Sequence, residues 1–336
     1  MAQHAIGGVY ELGIGTRDAL KDVHYWQQFG YHVLDVGDLS AADAESLYDV
    51  KSALRSVRLG HQDADHGLVR LMQWDTPTND GLGLAPMRVR GNRWSAALVE
   101  DMYNVVNHTE DAIAAGNPMF YIAPIRQQIY SAGAGRPFLD QWVGVRETFV
   151  FQPTTRQMLF ERFGYSIPDY GKVNPNAHFK CSQITHFGLV VQGGDEIIDF
   201  YEEALGLLRA RDHLISPYEK VKDGANVFQL QEGDSYICTD YDDPRSSASD
   251  FMAARSGRLK IIRYDTDENL PDMHAESRPG ALGYALYTYR VRDIDSYHAR
   301  VSGSTATDVT PMMSNEFGER SFSFIAPDGY FWTLVG

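Results

Sequence analysis

The alternation of apolar and polar residues repeats along this chain in four blocks. In the clearest block, the run "ITHFGLVV" at 184–191 is typical of a buried strand, because β-branched and aromatic residues dominate it. The segment "DEIIDFYEEALGL" at 195–207 has apolar residues three and four positions apart, which predicts an amphipathic helix. The runs "NVFQLQ", "SYICTDY" and "RLKIIRYD" predict three more strands. The order of this block is therefore β-α-β-β-β.

The other three blocks follow the same order less regularly. The first contains "VYELGIGT", the helix-like "DALKDVHYWQQFGY" and "GLVRLMQWDTP", the second contains "RWSAALVEDMYNVVNHTEDAIAAG" and "RETFVFQPTTRQMLFERFG", and the fourth contains "LYTYRVRDIDSYHARV" and "RSFSFIAPDGYFWTLVG". Such internal repetition indicates one structural unit used several times. We place the four modules at about 5–78, 90–165, 181–267 and 280–336.

The segment "YSIPDYGKVNPNAHFK" separates the second module from the third. Its Pro, Gly and polar residues are typical of a linker, which we place at 166–180. A chain of 336 residues is long enough for two cores. We therefore predict an α+β protein with an amino-terminal domain at 1–165 and a carboxy-terminal domain at 181–336, each made of two consecutive modules.

Charge and composition restrict the partners. The net charge of −15 argues against binding to nucleic acid or an anionic membrane, because both require clusters of Lys and Arg. The sequence contains no apolar run of about 18 residues and no secretory leader, so we expect a soluble, cytoplasmic protein. Its two cysteines are too few for a disulfide framework or a thiolate metal site.

The modules resemble the vicinal oxygen chelate superfamily, which includes glyoxalase I, bleomycin resistance proteins and type I extradiol dioxygenases. The segments "THFGLVV", "DFYEEALGL", "YRVRDID" and "SFIAPDGYFWTLV" carry the resemblance, and "ELGIGT" with "HYWQQFGY" carries it more faintly. It implies that paired modules curl into open barrels around a cleft. It also implies that metal ligands, where present, project from the first and last strands of the modules.

Applied to the carboxy-terminal half, the resemblance makes His186 the first-strand residue and a candidate metal ligand. Lys260 stands at the last strand of the same module, Leu286 or Tyr287 at the first strand of the next, and Thr333 at its last strand. One histidine with lysine and threonine does not form the two-histidine, one-carboxylate set typical of non-haem iron.

In the amino-terminal half the corresponding residues begin with Glu11 and Arg70. Trp94 or Ser95 follows at the third position, and Phe160 or Glu161 at the fourth. A shift of one residue would exchange the two faces of a strand, so these alternatives stay open at this point.

The chemistry of these side chains suggests individual roles. We predict His186, Lys260 and Tyr287 as catalytic residues, since imidazole transfers protons near neutral pH and the other two can polarise a substrate oxygen. Glu11, Arg70, Tyr284 and Thr333 are predicted to bind substrate. Each has a plainer interpretation: His186 as a hydrogen-bonded core residue, Glu11 in a cross-strand ion pair, and the tyrosines as core packing.

Three functions follow from the resemblance. The first is an enzyme with lyase or isomerase chemistry on a small oxygenated molecule, with aromatic compounds as one option. The second is a non-catalytic, resistance-type protein that binds a ligand. The third is a metal-dependent extradiol-type dioxygenase. The cofactor is accordingly either none or a divalent metal such as Fe, Mn or Zn, the partner is a small molecule, and the resemblance leaves a homodimer open.

Overall fold

The computed structural model describes residues 5–132, 141–215, 227–247 and 250–336. Within these described residues, the first two modules contain eight strands and three helices. The first module comprises β1 (Ile6–Thr16), α1 (Ala19–Gln28), β2 (Tyr31–Leu39), α2 (Ala41–Tyr48), β3 (Leu54–His61) and β4 (Leu68–Trp74). The second comprises β5 (Arg93–Val99), α3 (Met102–Ala114), β6 (Phe120–Ala132), β7 (Gln141–Phe151) and β8 (Arg156–Phe163).

The third and fourth modules follow the same plan with shorter helices. The third comprises β9 (Cys181–Val191), a 3-10 turn at Asp195–Ile197, α4 (Asp199–Glu203), β10 (Arg209–Ile215), β11 (Ser235–Tyr241), a 3-10 turn at Phe251–Ala253 and β12 (Arg258–Asp265). A 3-10 turn at His274–Ser277 precedes the fourth, which comprises β13 (Gly283–Val291), α5 (Ile294–Ser302), β14 (Met313–Ser314), β15 (Arg320–Ile325) and β16 (Phe331–Val335).

The helices begin where the sequence supplies a capping side chain. Asp18, Ser40, Asp101 and Asp293 each accept a hydrogen bond from a backbone N–H in the first turn of α1, α2, α3 and α5. Such caps satisfy donors that the helix itself leaves unpaired. Among the described residues, every helix is too short or too polar to span a lipid bilayer.

The strands form two eight-stranded sheets, and each sheet combines two modules. The order in the first sheet is β14-β15-β16-β13-β1-β4-β3-β2, and in the second it is β10-β11-β12-β9-β5-β8-β7-β6. The α+β fold of curled sheets built from βαβββ modules is thus confirmed. The modules predicted to share a domain, the first with the second and the third with the fourth, lie in different sheets: the first module joins the fourth, and the second joins the third. Antiparallel pairing of β1 with β13, and of β5 with β9, makes these connections.

One predicted strand is also wrong. None of residues 227–231, within "NVFQLQ", is in a strand: Phe228 and Gln229 form a turn, and β10 takes the expected place in the third module. The apolar side chains of this turn serve the core: Phe228 packs against Tyr236 with ring centres 5.1 Å apart, and Val227 is fully buried. Burial rather than strand pairing therefore explains why this segment is apolar.

Candidate active site

The second sheet curves around a cavity of about 260 Å³. The alternation of side chains along a strand directs every second residue of β5, β8, β9 and β12 toward it. The charged residues of its wall are Glu147, Arg162, Arg258 and Lys260. Aromatic side chains supply much of the remaining wall, namely Trp94, Phe160, Tyr165, Tyr170, Phe228 and Tyr236.

His186 lies on β9 and lines this cavity. Its Nδ1 is 3.1 Å from the Tyr170 hydroxyl and 3.1 Å from Thr185 Oγ1. The Thr185 hydroxyl donates its proton to the Ala96 carbonyl oxygen at 3.0 Å, so toward His186 it acts as an acceptor. We therefore assign the imidazole proton to Nδ1. Nε2 then carries a lone pair, and it has no hydrogen bond within the described part of the chain.

The surroundings of His186 keep its imidazole neutral. Burial lowers the pKa of His186 well below its ordinary value, and the positive charges of Lys260 and Arg258 lower it further. Trp94 and Phe160 flank the ring with centroid distances of 5.7 and 5.6 Å. Near neutral pH the His186 imidazole is consequently uncharged.

Lys260 remains charged beside His186. Its Nζ donates to Asp240 Oδ1 at 2.8 Å, and Asp240 is fully buried. Burial alone would lower the pKa of Lys260, but the Asp240 carboxylate raises it above its ordinary value. Arg258 shares the Asp240 carboxylate at 3.4 Å and also pairs with Asp242. The wall thus holds two cations that pair with Asp240 or Asp242, and Arg211 shares the Asp240 carboxylate at 2.8 Å.

Arg162 is a cation of a different kind. It lies on β8 two residues after Phe160, and its guanidinium is 5.4 Å from the ring centre of Tyr170 and 5.8 Å from that of Tyr165. It donates to the Tyr170 carbonyl oxygen at 2.8 Å. Within the described residues it forms no ion pair with a carboxylate, and tyrosines are the partners of its charge. Arg162 therefore brings to the cavity a positive charge without a carboxylate ion-pair partner among the described residues, in a wall that also contains Glu147.

The interior of the first sheet is filled by a buried network of charges. Arg70 and Glu11 are both fully buried and form an ion pair. Arg58 also pairs with Glu11 at 2.9 Å and with Glu319 at 2.7 Å. Arg70 reaches Glu316 at 3.2 Å. These five residues form one connected network of ion pairs.

The network has further hydrogen-bond partners, and both carboxylate oxygens of Glu11 are bound by arginines. Tyr48 donates to Glu316 at 2.8 Å, Ser56 donates to it at 2.6 Å, and Arg70 donates to Thr288 at 2.9 Å. Burial would raise the pKa of Glu11, but Arg58 and Arg70 lower it below its ordinary value. Glu11 and Arg70 are therefore placed together, in a packed interior that is separate from the His186 cavity.

The remaining predicted residues lie outside the cavity. The Tyr287 hydroxyl is 2.7 Å from the Trp94 carbonyl oxygen and 2.9 Å from that of Gly188, so it joins the two sheets through main-chain groups. The Tyr284 hydroxyl is 2.8 Å from Ser95 Oγ, and Thr333 Oγ1 is 3.1 Å from Ser323 Oγ in the first sheet. Of the residues predicted to be catalytic or to bind substrate, the structure brings only His186 and Lys260 into the cavity.

Strand register relates the first-strand and last-strand residues that the resemblance implies as metal-ligand positions. Lys260 pairs with Gly188, two residues after His186, and Arg70 pairs with Gly13, two residues after Glu11. The same offset relates Thr333 to Leu286, through the pairing of Thr333 with Thr288. It relates Met158 to Trp94, through the pairing of Met158 with Ala96. The four modules are therefore equivalent, and Met158 takes the position for which the sequence favoured Phe160 or Glu161.

The resulting donor sets do not fit a divalent metal. Around the cavity they are His186, Lys260, Trp94 and Met158, and in the first sheet they are Glu11, Arg70, Leu286 and Thr333. Each set contains a cation, and neither provides the three nitrogen or oxygen ligands that a catalytic zinc or iron site requires. Across the described residues, no group of three His, Cys, Asp or Glu side chains is arranged to hold an ion.

Comparison with known proteins agrees with this geometry. The model of the Glyoxalase/Bleomycin resistance protein/Dioxygenase superfamily matches residues 183–334. This part of the chain belongs to that superfamily. A sequence search of curated proteins gave no match.

Solved structures of the same fold match almost the whole chain. Glyoxalase I from Zea mays is 14% identical, with a TM-score of 0.53 over 98% of this chain and 92% of that chain. A candidate dioxygenase from Bacillus subtilis subsp. subtilis str. 168 is 12% identical, with a TM-score of 0.53 over 99% of this chain and 86% of that chain. These similarities establish the fold shared with glyoxalase-superfamily proteins.

The cavity residues that the sequence analysis did not predict are those that do not stand at a position implied by the family resemblance. Arg162, Tyr170 and Asp240 shape the cavity. Arg162 lies on β8, two residues after the cavity-facing Phe160, and Tyr170 lies in the predicted linker. Asp240 lies on β11, next to the outer strand β10. The signal for Arg162 was its spacing, because residues two apart on a strand share a face. No comparable local signal marks Tyr170 or Asp240.

Proposed function

We propose that the protein binds a small planar organic anion in the cavity of the second sheet, and that His186 transfers a proton in metal-independent lyase or isomerase chemistry. The observation that carries the proposal is a neutral His186 with an available Nε2 beside the Lys260 ammonium group in one cavity. Superfamily membership supports a small-molecule function, and the finer chemistry is our inference from the site.

The size and lining of the cavity favour a molecule with a single ring. Its volume of about 260 Å³ lies just below the usual range for drug-sized ligands. Trp94, Phe160 and Tyr236 offer aromatic surface against which a flat ring can stack. Arg162 offers the planar pair of N–H donors that suits a carboxylate. An aromatic carboxylate or an aryl 2-oxo acid meets all three conditions.

An anionic ligand would also adjust the basicity of His186. The pKa of His186 is low because of burial and because of the positive charges of Lys260 and Arg258. A bound carboxylate brings negative charge near the imidazole, which raises its pKa toward the range in which proton transfer is efficient. Binding would thereby activate the base.

Lys260 is suited to stabilise the product of proton removal. Its ammonium group stays protonated because Asp240 raises its pKa, so it can donate to an oxygen that gains negative charge as an enolate forms. In this reaction His186 Nε2 accepts a proton from the carbon next to a carbonyl group. It then returns the proton to the enolate oxygen, which completes a keto–enol isomerisation.

Phenylpyruvate is a direct probe, because it combines a ring, a carboxylate and an acidic C–H bond. We expect the protein to accelerate exchange of its benzylic protons for deuterium in D2O, measured by proton NMR. Removing a general base typically costs 10²–10⁴-fold in rate, so His186→Gln should lose about 100-fold or more. Lys260→Met should retain binding and lose rate.

The second candidate function is sequestration of a ligand without reaction. Each cation except Arg162 is already matched by a carboxylate, which suits a binding pocket as well as a catalytic one. Quenching of Trp94 fluorescence by phenylpyruvate without accelerated exchange would favour this function. Absence of both effects across aromatic carboxylates would refute the proposed site.

The dioxygenase alternative is tested by metal analysis of protein purified without added metal. The donor set around His186 leads us to expect less than one iron or manganese ion per chain. Stoichiometric iron or manganese that disappears in His186→Ala would restore the dioxygenase function and reject the metal-independent one.

A further inference from the structure

Two histidines meet on the surface of the molecule, outside the lining of the cavity. His108 lies on α3 of the second module, and His178 lies in the segment just before β9. Their Nε2 atoms are 3.2 Å apart, their ring centres are 4.9 Å apart, and the ring planes are inclined by 85°. Both side chains are exposed to solvent.

This arrangement has the dimensions of two ligands on one metal ion. Imidazoles that bind a tetrahedral ion at about 2.0–2.1 Å hold their nitrogens about 3.3 Å apart and their ring centres about 5 Å apart. Rings pointing straight at each other for a linear hydrogen bond would have centres about 5.5 Å apart at the same nitrogen separation. The observed separation of 4.9 Å corresponds to rings that converge at an angle.

The hydrogen bonds around the pair prepare His108 for coordination. His108 Nδ1 donates to the Asn104 carbonyl oxygen at 2.8 Å, which leaves a lone pair on Nε2. A hydrogen bond from the other ring nitrogen to a carbonyl group is the usual support of a metal-binding histidine. The Asn104 side chain also donates to the His178 carbonyl oxygen at 3.5 Å. Asn104 is therefore a positioning residue for both histidines.

The pair stands where separate parts of the fold meet. Phe179 packs edge-on against the rings of His108 and His178, at 5.3 and 4.7 Å, and lies 4.8 Å from Phe29 at the end of α1. Its N–H donates to the Gln28 carbonyl oxygen at 3.0 Å. A ligand shared by the two histidines would tie the segment before β9 to α3 at this corner.

We propose that His108 and His178 form a binding site for a borderline divalent cation such as Zn²⁺, Ni²⁺ or Cu²⁺, with water completing the coordination. Imidazole nitrogen is the ligand that these ions favour, whereas Mg²⁺ and Ca²⁺ prefer oxygen. The site is independent of the cavity and of the proposed reaction.

Titration of the untagged, EDTA-treated full chain with Zn²⁺ by isothermal calorimetry tests the site. We expect one ion per chain, no response to Mg²⁺, and a rise in Tm of roughly 4 °C at a hundredfold excess over Kd. His108→Ala and His178→Ala should each weaken binding tenfold or more and remove the rise in Tm. Asn104→Ala should weaken it less, because both ligands remain.

Two matched variants locate the ion. His24→Ala removes another exposed helix histidine, and His186→Ala removes the cavity histidine; both should bind Zn²⁺ as the wild type does. The proposal is overturned if Zn²⁺ fails to bind, if it binds equally well in His108→Ala and His178→Ala, or if His186→Ala abolishes the binding.

Discussion

At the scale of single residues, the cavity is distinguished by how its charges are matched. Lys260 and Arg258 share Asp240, and Arg258 also has Asp242. Arg162 instead stands among tyrosines. A cation matched by aromatic faces rather than by a carboxylate retains its capacity to bind an anion, because π contacts neutralise no charge. Arg162 therefore sets the expected charge of the ligand.

Replacing Arg162 by Met should discriminate between charged and neutral ligands. A hydrogen bond to a charged group contributes about 1.5–3 kcal/mol, so the variant should bind phenylpyruvate or benzoate about 10- to 100-fold more weakly. Benzamide, which has the same shape without the charge, should bind equally to both proteins. Arg17→Met, at an exposed arginine, is the matched control. Equal losses for benzoate and benzamide would contradict an anion-binding role.

At the scale of elements, the central strand β9 connects the fold to the site. Its eleven residues are buried throughout, and it pairs with β12 on one side and β5 on the other. Gly188 sits directly opposite Trp94 on β5. Because Gly188 has no side chain, the Trp94 indole lies flat against the strand, where a Cβ atom would overlap its Cε2 and Nε1 atoms. The absence of a side chain at Gly188 thus leaves room for Trp94, which lines the cavity.

Gly188→Ala should therefore destabilise the protein and alter the cavity together. Overpacking of a dense core costs about 1–3 kcal/mol, and we expect about 3 kcal/mol here because the contact involves a rigid ring. Gly7→Ala on β1, where no atom lies within 4 Å of the new Cβ, should change stability little. Urea unfolding measures both. Unchanged stability of Gly188→Ala would show that Trp94 can move aside at little cost.

At the scale of the whole molecule, the two sheets have diverged in use. The first is closed by the network of Glu11, Arg58, Arg70, Glu316 and Glu319, whereas the second retains a cavity. Removing one partner of a buried ion pair leaves an uncompensated charge, at a cost of about 3–5 kcal/mol. The network is therefore a structural requirement of the first sheet, and the chemistry is expected in the second.

The same network predicts loss of stability in acid. The folded-state pKa of Glu11 is lowered, and Arg58 holds that of Glu319 at about 2 although burial acts to raise it. A carboxylate with a lowered folded-state pKa contributes its full stabilisation above its ordinary pKa of about 4.3 and loses it as the pH falls. Asp328 acts in the opposite sense, because burial raises its pKa to about 6.

Thermal unfolding between pH 6 and pH 2 measures the sum of these opposing contributions to stability. We expect Tm to fall most steeply below about pH 4.5, where the Glu11 and Glu319 carboxylates take up protons on unfolding. Glu319→Gln should lower Tm at pH 7 and flatten this dependence, since it removes one titrating group. A Tm that is constant from pH 5 to pH 2.5 would contradict the role of the network.

The sequence by itself determined the repeated βαβββ plan, most of its elements and two residues of the cavity wall, His186 and Lys260. Hydrophobic alternation predicted β9 and β12, because this signal depends only on neighbours along the chain. The family resemblance then placed His186 and Lys260 on the first and last strands of the third module. The repetition of one module four times also followed from local patterns.

Only the tertiary structure decided which modules pair, and with that what surrounds each side chain. The pairing of β1 with β13 placed Thr288 beside Arg70, and that of β5 with β9 placed Trp94 and Met158 around His186. Local sequence does not encode such neighbours, because a strand edge accepts any partner with a compatible face. The same packing separated Tyr287 from the cavity and supplied the counter-charges that govern Lys260 and Glu11.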